Sequence, residues 1–148
     1  FPIGKSNEYI SDELPSLVQI NKNYLFIKRF TAKEEKRRLQ CAIYLANVFC
    51  QYKYISTQNK INFIDTIDNS EMSEETVYGL YVVLNSSLYD SYYRILNGST
   101  QVNSTEINTI PMPSKADLTI LGQRIMNSKD FSTTSCDNIL KAVINVND

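Results

Sequence analysis

The sequence predicts an α+β domain: a twisted, mostly antiparallel sheet from the N-terminal half, packed by helices from the C-terminal half. Three observations lead there. Short apolar runs rich in β-branched and aromatic residues, separated by polar turn residues, fill positions 16 to 67. Beyond Ser73 the apolar side chains switch to spacings of three and four, the period of a helix face. The chain has 148 residues with a 43% apolar share, enough for one domain with its own core.

In order, Phe1–Pro15 is polar and irregular, and because the chain begins with Phe rather than Met it reads as a lead-in or linker from a missing preceding domain. Ser16–Ile20 and Tyr24–Phe30 flank Asn21-Lys22-Asn23 and read as a hairpin. In the second run Leu25 and Ile27 share one face. Tyr24, Phe26, Lys28 and Phe30 share the other, a mixture that suits a strand at a sheet margin. Leu39–Leu45 and Val48–Ser56 read as strands around a turn at Asn47, and Ile61–Ile67 as a fifth. Tyr44, Phe49, Tyr52 and Tyr54 crowd this region; strand aromatics fill cores more often than they stack on bases.

Ser73 is the expected N-cap of the first long helix, with Glu74 and Glu75 against its positive end. Val77, Leu80, Tyr81 and Leu84 form its inward stripe. Gly79 lies inside it at a cost of about 1 kcal/mol against alanine, which implies close approach of another element. Asn85–Ser87 breaks the helix, and Leu88, Tyr92, Ile95 and Leu96 predict the inward stripe of the next. Gly98 marks its left-handed end. Ser104 is expected to cap a short turn through Ile107, and Ile110-Pro111-Met112-Pro113 must be extended, because proline disfavours helix in the residue before it. Ser114 and Ser135 then cap two packing helices, with Leu118, Leu121, Ile125 and Met126 inward on one and Ile139, Leu140, Val143 and Ile144 on the other.

Charge narrows the functional classes. With 15 basic and 16 acidic residues the chain is nearly neutral. A free-standing nucleic-acid binder is usually basic, so a DNA surface here must be a local patch. The densest candidate joins Lys28 and Arg29 to Lys33, Lys36, Arg37 and Arg38, opposed locally by Glu34 and Glu35. Thr31 and Glu34 match a capping box there, against the plainer reading of a solvated turn. A second candidate is Ser99–Thr105. Its side chains either satisfy a connecting loop or turn Thr100, Gln101 and Asn103 towards a duplex, where amides pair with adenine and hydroxyls bond phosphate. Cys41, Cys50 and Cys136 lack metal-ligand spacing and the chain has no histidine, so no metal site is expected and the cysteines read as free, largely buried thiols in a reducing cytoplasm. No membrane span or signal peptide is expected either.

Four stretches carry a resemblance: Asn23–Leu39 (NYLFIKRFTAKEEKRRL), Leu84–Arg94 (LNSSLYDSYYR), Gly98–Ile107 (GSTQVNSTEI) and Ile110–Pro113 (IPMP). In this order they resemble the C-terminal target-recognition region of type II restriction–modification adenine-specific (N6) DNA methyltransferases. The resemblance implies that 16–148 is a DNA target-recognition domain whose partners are double-stranded DNA and the catalytic domain of the same parent chain. It places Lys28, Arg29, Lys33, Lys36, Arg37 and Arg38 on phosphate, and Thr100, Gln101 and Asn103 near bases. It also implies S-adenosylmethionine in the catalytic domain and no cofactor in this one.

The sequence departs from a complete methyltransferase. Such an enzyme needs a donor-binding loop and an Asn/Asp-Pro-Pro-aromatic motif for the flipped base. Here the prolines are Pro2, Pro15, Pro111 and Pro113, with none adjacent, and the four glycines are far apart. The fragment is therefore expected to be non-catalytic. Two other classes remain open. Glu34-Glu35-Lys36 has the acidic-x-Lys spacing of a metal-dependent nuclease, with Asp12 and Asp65 as loose partner acids. A protein-interaction or scaffold domain would instead use the Tyr-rich surface and show no salt-sensitive DNA binding.

Overall fold

The computed structural model describes residues 18–144; expectations for Phe1–Pro15, and for Ser16 and Leu17, lie outside them. The elements run β1 (Gln19–Ile20), β2 (Tyr24–Lys28), β3 (Cys41–Tyr44), a 3-10 turn (Ala46–Phe49), β4 (Tyr54–Ile55) and β5 (Ile61–Ile64). Five helices follow: α1 (Glu74–Leu84), α2 (Ser87–Leu96), α3 (Ser104–Ile107), α4 (Lys115–Ser128) and α5 (Thr133–Val143). The α+β expectation holds, with antiparallel strands first and helices after.

β2 is central, paired antiparallel with β3 on one side and β5 on the other. Leu25 lies opposite Ile43 and Ile64, and with Ile27 it is buried in the core shared with the helices. On the other face Phe26 lies 5.3 Å from the rings of both Tyr44 and Phe63, in line with rings that pack each other. The expected margin strand is thus the middle one.

The expected hairpin does not form either: β1 pairs with β4, not β2. The reason lies in Asn21-Lys22-Asn23. Asn21 Nδ2 donates to the carbonyls of Ala46 (3.3 Å), Phe49 (3.0 Å) and Tyr52 (2.9 Å), drawing the 46–52 segment into turns where a strand from Val48 was expected. Asn23 Oδ1 accepts from Ala46 N, and its Nδ2 donates to Met72 O. Lys22 pairs with Asp65 at 3.1 Å. The three residues clamp distant segments instead of turning a hairpin.

Helix starts follow hydroxyl and amide caps. Ser73 and Ser114 cap α1 and α4 as expected, accepting from Thr76 N and Asp117 N. Asn103 caps α3 in place of Ser104, and Ser132 caps α5 in place of Ser135. The expectation at Gly79 is met from a definite direction. A Cβ there would lie 2.0 Å from Leu118 O of α4, and one at Gly122 would lie 1.8 Å from Glu75 O of α1. The two glycines let α1 and α4 touch backbone to backbone.

α2 departs most. Its expected inward stripe faces out: Leu88 is 48% exposed, Tyr92 39%, Ile95 82% and Leu96 40%. The buried positions are Asp90 and Tyr93. Gly98 is not left-handed; the end of α2 is formed by Asn97, whose Oδ1 accepts from Ser99 N at 2.9 Å.

Candidate nucleic-acid interface

The basic run 31–38 forms a turn, not a helix, and α2 holds it. Asp90 is buried, and its Oδ1 accepts from Arg38 N (2.9 Å) and Leu39 N (2.8 Å) while Oδ2 accepts from Arg94 Nε (3.1 Å). Arg94 reaches on to the carbonyls of Lys33 (2.8 Å) and Glu35 (2.7 Å). Charge-assisted bonds of this kind fix geometry as well as adding energy. They tie Asn23–Leu39 to Leu84–Arg94, two of the stretches that carry the family resemblance.

Arg38 is 1% exposed and sits deepest. Its guanidinium donates to Thr31 Oγ1 (3.1 Å), Asn97 Oδ1 (3.2 Å) and Ser99 O (2.7 Å), and lies over the Tyr93 ring. Around it Tyr93 donates to Glu106 Oε2, and Asn97 Nδ2 donates to Glu106 Oε2, the Tyr93 hydroxyl and Gln101 O. Burial pushes the Tyr93 phenol up to about 12, so it stays protonated. Arg37 donates to the last carbonyls of the α1–α2 corner, Leu84 O (3.0 Å) and Ser86 O (3.4 Å). The expectation that Arg38 grips phosphate is therefore corrected, because its guanidinium is wholly out of reach of a duplex; Arg37 is engaged mainly at the α1–α2 corner, with its side chain 17% exposed. Lys33 and Lys36 are exposed, and Lys28 is half-exposed.

The second candidate loop lies beside the first. Thr31 N donates to Thr100 O and Val102 N donates to Arg29 O, so 100–102 pairs with the continuation of β2 through a bridge between Phe30 and Gln101. Arg29 N donates to Lys60 O at 2.7 Å, and Asn62 Nδ2 to Val102 O at 2.9 Å, which brings the 58–62 segment to the same edge. Lys28, Arg29, Lys60, Phe30, Thr100 and Gln101 thus gather at one end of the sheet, next to the turn bearing Lys33 and Lys36. With the Gln101 amide turned so that its oxygen meets the guanidinium, Oε1 accepts from Arg29 Nε (2.8 Å) and Nη2 (2.7 Å). Thr100 and Asn103 are exposed, but Asn103 Oδ1 is occupied by Thr105 N as the α3 cap.

Sequence reasoning missed Asp90, Arg94, Asn97, Phe30 and Lys60. Asp90 and Arg94 carried one signal, an acid and a base four apart on a helix. The acidic-x-Lys reading, whose acid is the exposed Glu34, lacks a second carboxylate to share a metal among the described residues. Glu35 Oε1 accepts from Ala32 N and Oε2 from Gln40 Nε2, and these bonds hold its carboxyl below the usual range. Asp65 is paired with Lys22, and Asp12 lies outside the described residues. Among the described residues no group of three or more acidic, cysteine or histidine side chains could hold a metal. Cys136 is buried and Cys41 partly so, but Cys50 is exposed, against the expectation for all three. No described helix is long and apolar enough to cross a membrane.

No family profile and no solved structure matches the chain. Two curated proteins do. Type II methyltransferase M.BsuBI of Bacillus subtilis is 36% identical over 125 residues, covering 84% of this chain and 25% of its own length. Type II methyltransferase M.PstI of Providencia stuartii is 32% identical over 144 residues, covering 95% of this chain and 28% of its own length. The chain is homologous to part of two type II methyltransferases. It spans about a quarter of the length of these relatives.

Proposed function

We propose that this chain is the DNA target-recognition part of an adenine-specific DNA methyltransferase in a bacterial restriction–modification system. In this reading it corresponds to the C-terminal region of a cytoplasmic parent enzyme. The observation that carries the proposal is the meeting of two sequence-distant candidate sets at one edge. Lys28, Lys33 and Lys36 serve phosphate, while Arg29, Thr100, Gln101 and Asn103 lie within the same surface. Phosphate contacts position a protein on a duplex, and amide and hydroxyl groups between them read it. Homology to the two methyltransferases supports the assignment to such an enzyme.

S-adenosylmethionine belongs in this reading to the catalytic part of the parent. The described residues do not fit it: Gly79 and Gly122 are closed off by the α1–α4 contact, and Gly98 stands alone without a glycine-rich turn. The role of this chain's own residues is to hold and orient the duplex while the reaction proceeds elsewhere.

Binding of a mixed-sequence duplex across a salt series tests the reading. Wild-type chain should bind weakly at low salt and lose affinity steeply as salt rises. Replacing both Lys33 and Lys36 by alanine should flatten the log–log salt slope by about 2. Unchanged affinity and slope would remove these lysines from the interface. On the full-length parent, donor-dependent methylation of an adenine amino group in duplex DNA is expected; methylated cytosine would overturn the adenine assignment.

A protein-contact role has an observation of its own, the outward stripe of Leu88, Tyr92, Ile95 and Leu96 on α2. Contiguous exposed apolar surface marks interaction sites. It suits docking against the catalytic part of the parent, and replacing Ile95 by glutamate should weaken that docking without changing duplex binding by this chain.

A further inference from the structure

Arg29 and Gln101 form a single donor unit, and the geometry points to that unit reading the acceptor edge of a guanine in the major groove. This inference rests on the DNA-interface reading above and adds a base class to it.

The argument is a count of hydrogen-bonding groups. A glutamine amide has one acceptor oxygen and two N–H donors, which is why it can pair with adenine through N6 and N7. Here the oxygen already accepts from Arg29 Nε (2.8 Å) and Nη2 (2.7 Å). What remains on Gln101 are the two N–H groups of its amide, which make no hydrogen bond among the described residues. Arg29 has five N–H groups; two meet Gln101, and Nη1 donates a third to Asn59 O at 3.2 Å. One N–H on Nη1 and one on Nη2 are left. The half-exposed pair therefore offers donors only, and Asn59 and Gln101 fix the plane of the guanidinium.

Guanine presents O6 and N7, both acceptors, in the major groove, whereas adenine adds an N6 donor that would oppose this pair. The chemistry shared with phosphate is acceptor oxygen. Phosphate is already served by the exposed Lys33 and Lys36, and Phe30, 47% exposed with Arg29 over its ring, gives the site an apolar flank suited to bases. The adenine pairing expected for Gln101 from its residue type is thus displaced by its partner.

The test selects duplexes from a randomised library with the wild-type chain and measures binding to the enriched sequence by fluorescence anisotropy. Replacing one guanine of that sequence by 7-deazaguanine should weaken wild-type binding by roughly 5- to 100-fold. Gln101→Glu keeps an oxygen against Arg29, and so keeps the fold, but exchanges the amide donors for an acceptor. It should no longer distinguish guanine from 7-deazaguanine at that position, with its melting temperature unchanged. If Gln101→Glu discriminates as the wild type does, or weakens every sequence alike with a flatter salt slope, the pair touches phosphate or nothing, and the inference falls while the DNA reading stands. Salt-sensitive wild-type binding that enriches no sequence has the same meaning. Absence of salt-sensitive binding by the wild type overturns the DNA reading and this inference together.

Discussion

The α1–α4 seam and the seat of the 31–38 turn on α2 hold this molecule together by opposite means. At the first, Gly79 and Gly122 remove side chains so that two helices meet through their backbones. At the second, Asp90, Arg94, Arg37 and Arg38 supply side chains to satisfy backbone groups that no helix or strand pairs. The seam tolerates no added volume. The seat tolerates no lost hydrogen bond. Only the seat adjoins the proposed interface, so the charges that look most like DNA contacts divide into those that build the turn and those left on its surface.

Substitutions can break or sharpen this contrast. The largest effect is expected at the seam. Gly122→Ala places a methyl group inside the Glu75 carbonyl, and Gly79→Ala does the same against Leu118, so each should cost about 3 kcal/mol or more, the upper end for overpacking, in urea unfolding. Arg38→Gln should cost about 2–3 kcal/mol, because Thr31, Asn97 and Ser99 lose a buried charged donor. Asp90→Ala should lie near 2 kcal/mol: two amide donors are stranded, but Arg94 is 35% exposed and regains water. Lys33→Ala and Lys36→Ala should stay within about 0.5 kcal/mol of wild type in the same assay, as exposed positions do. A loss of stability at either lysine would erase the division between builders and surface charges.

Two smaller effects concern single groups. Glu35 titrates below its ordinary value of 4.5, because Ala32 N–H and then the Gln40 amide bond to the ionised form. A depressed folded value means its contribution is present above the ordinary carboxylate range and lost as pH falls through the folded value, below 4.5. The Ala32 amide resonance should therefore shift in that acid window and stay still in Glu35→Gln. Alkylation should mark Cys50 first, since it is exposed, whereas Cys136 is buried and burial pushes its thiol up.

How much was legible follows the same division. Apolar periodicity found α1, α4 and the succession of strands along the chain, though not their pairing, because burial of apolar surface is what those segments do. Gly79 announced the seam, though nothing pointed to its counterpart Gly122. Periodicity found α2 but not which way it faces, because that helix buries Asp90 and Tyr93 and leaves its apolar stripe outside. A buried carboxylate stabilised by bonds to distant amides has no spacing to read. The same holds for Asn21 and Asn23, whose reach to residues 46–72 defeated the hairpin. At the candidate interface, residue type pointed to Lys28, Arg29 and Gln101, which the fold brings to one edge. Only three-dimensional contact separated Arg37 and Arg38 from their neighbours and changed what Gln101 can offer.

The bridge between Phe30 and Gln101 has a consequence for timing. Main-chain bonds on both sides of it make the two segments one rigid piece, arranged before any ligand arrives. Little conformational freedom remains to be lost at the encounter. A mismatched ligand would then be rejected by rapid departure from an unyielding surface, not by slow remoulding of a soft one.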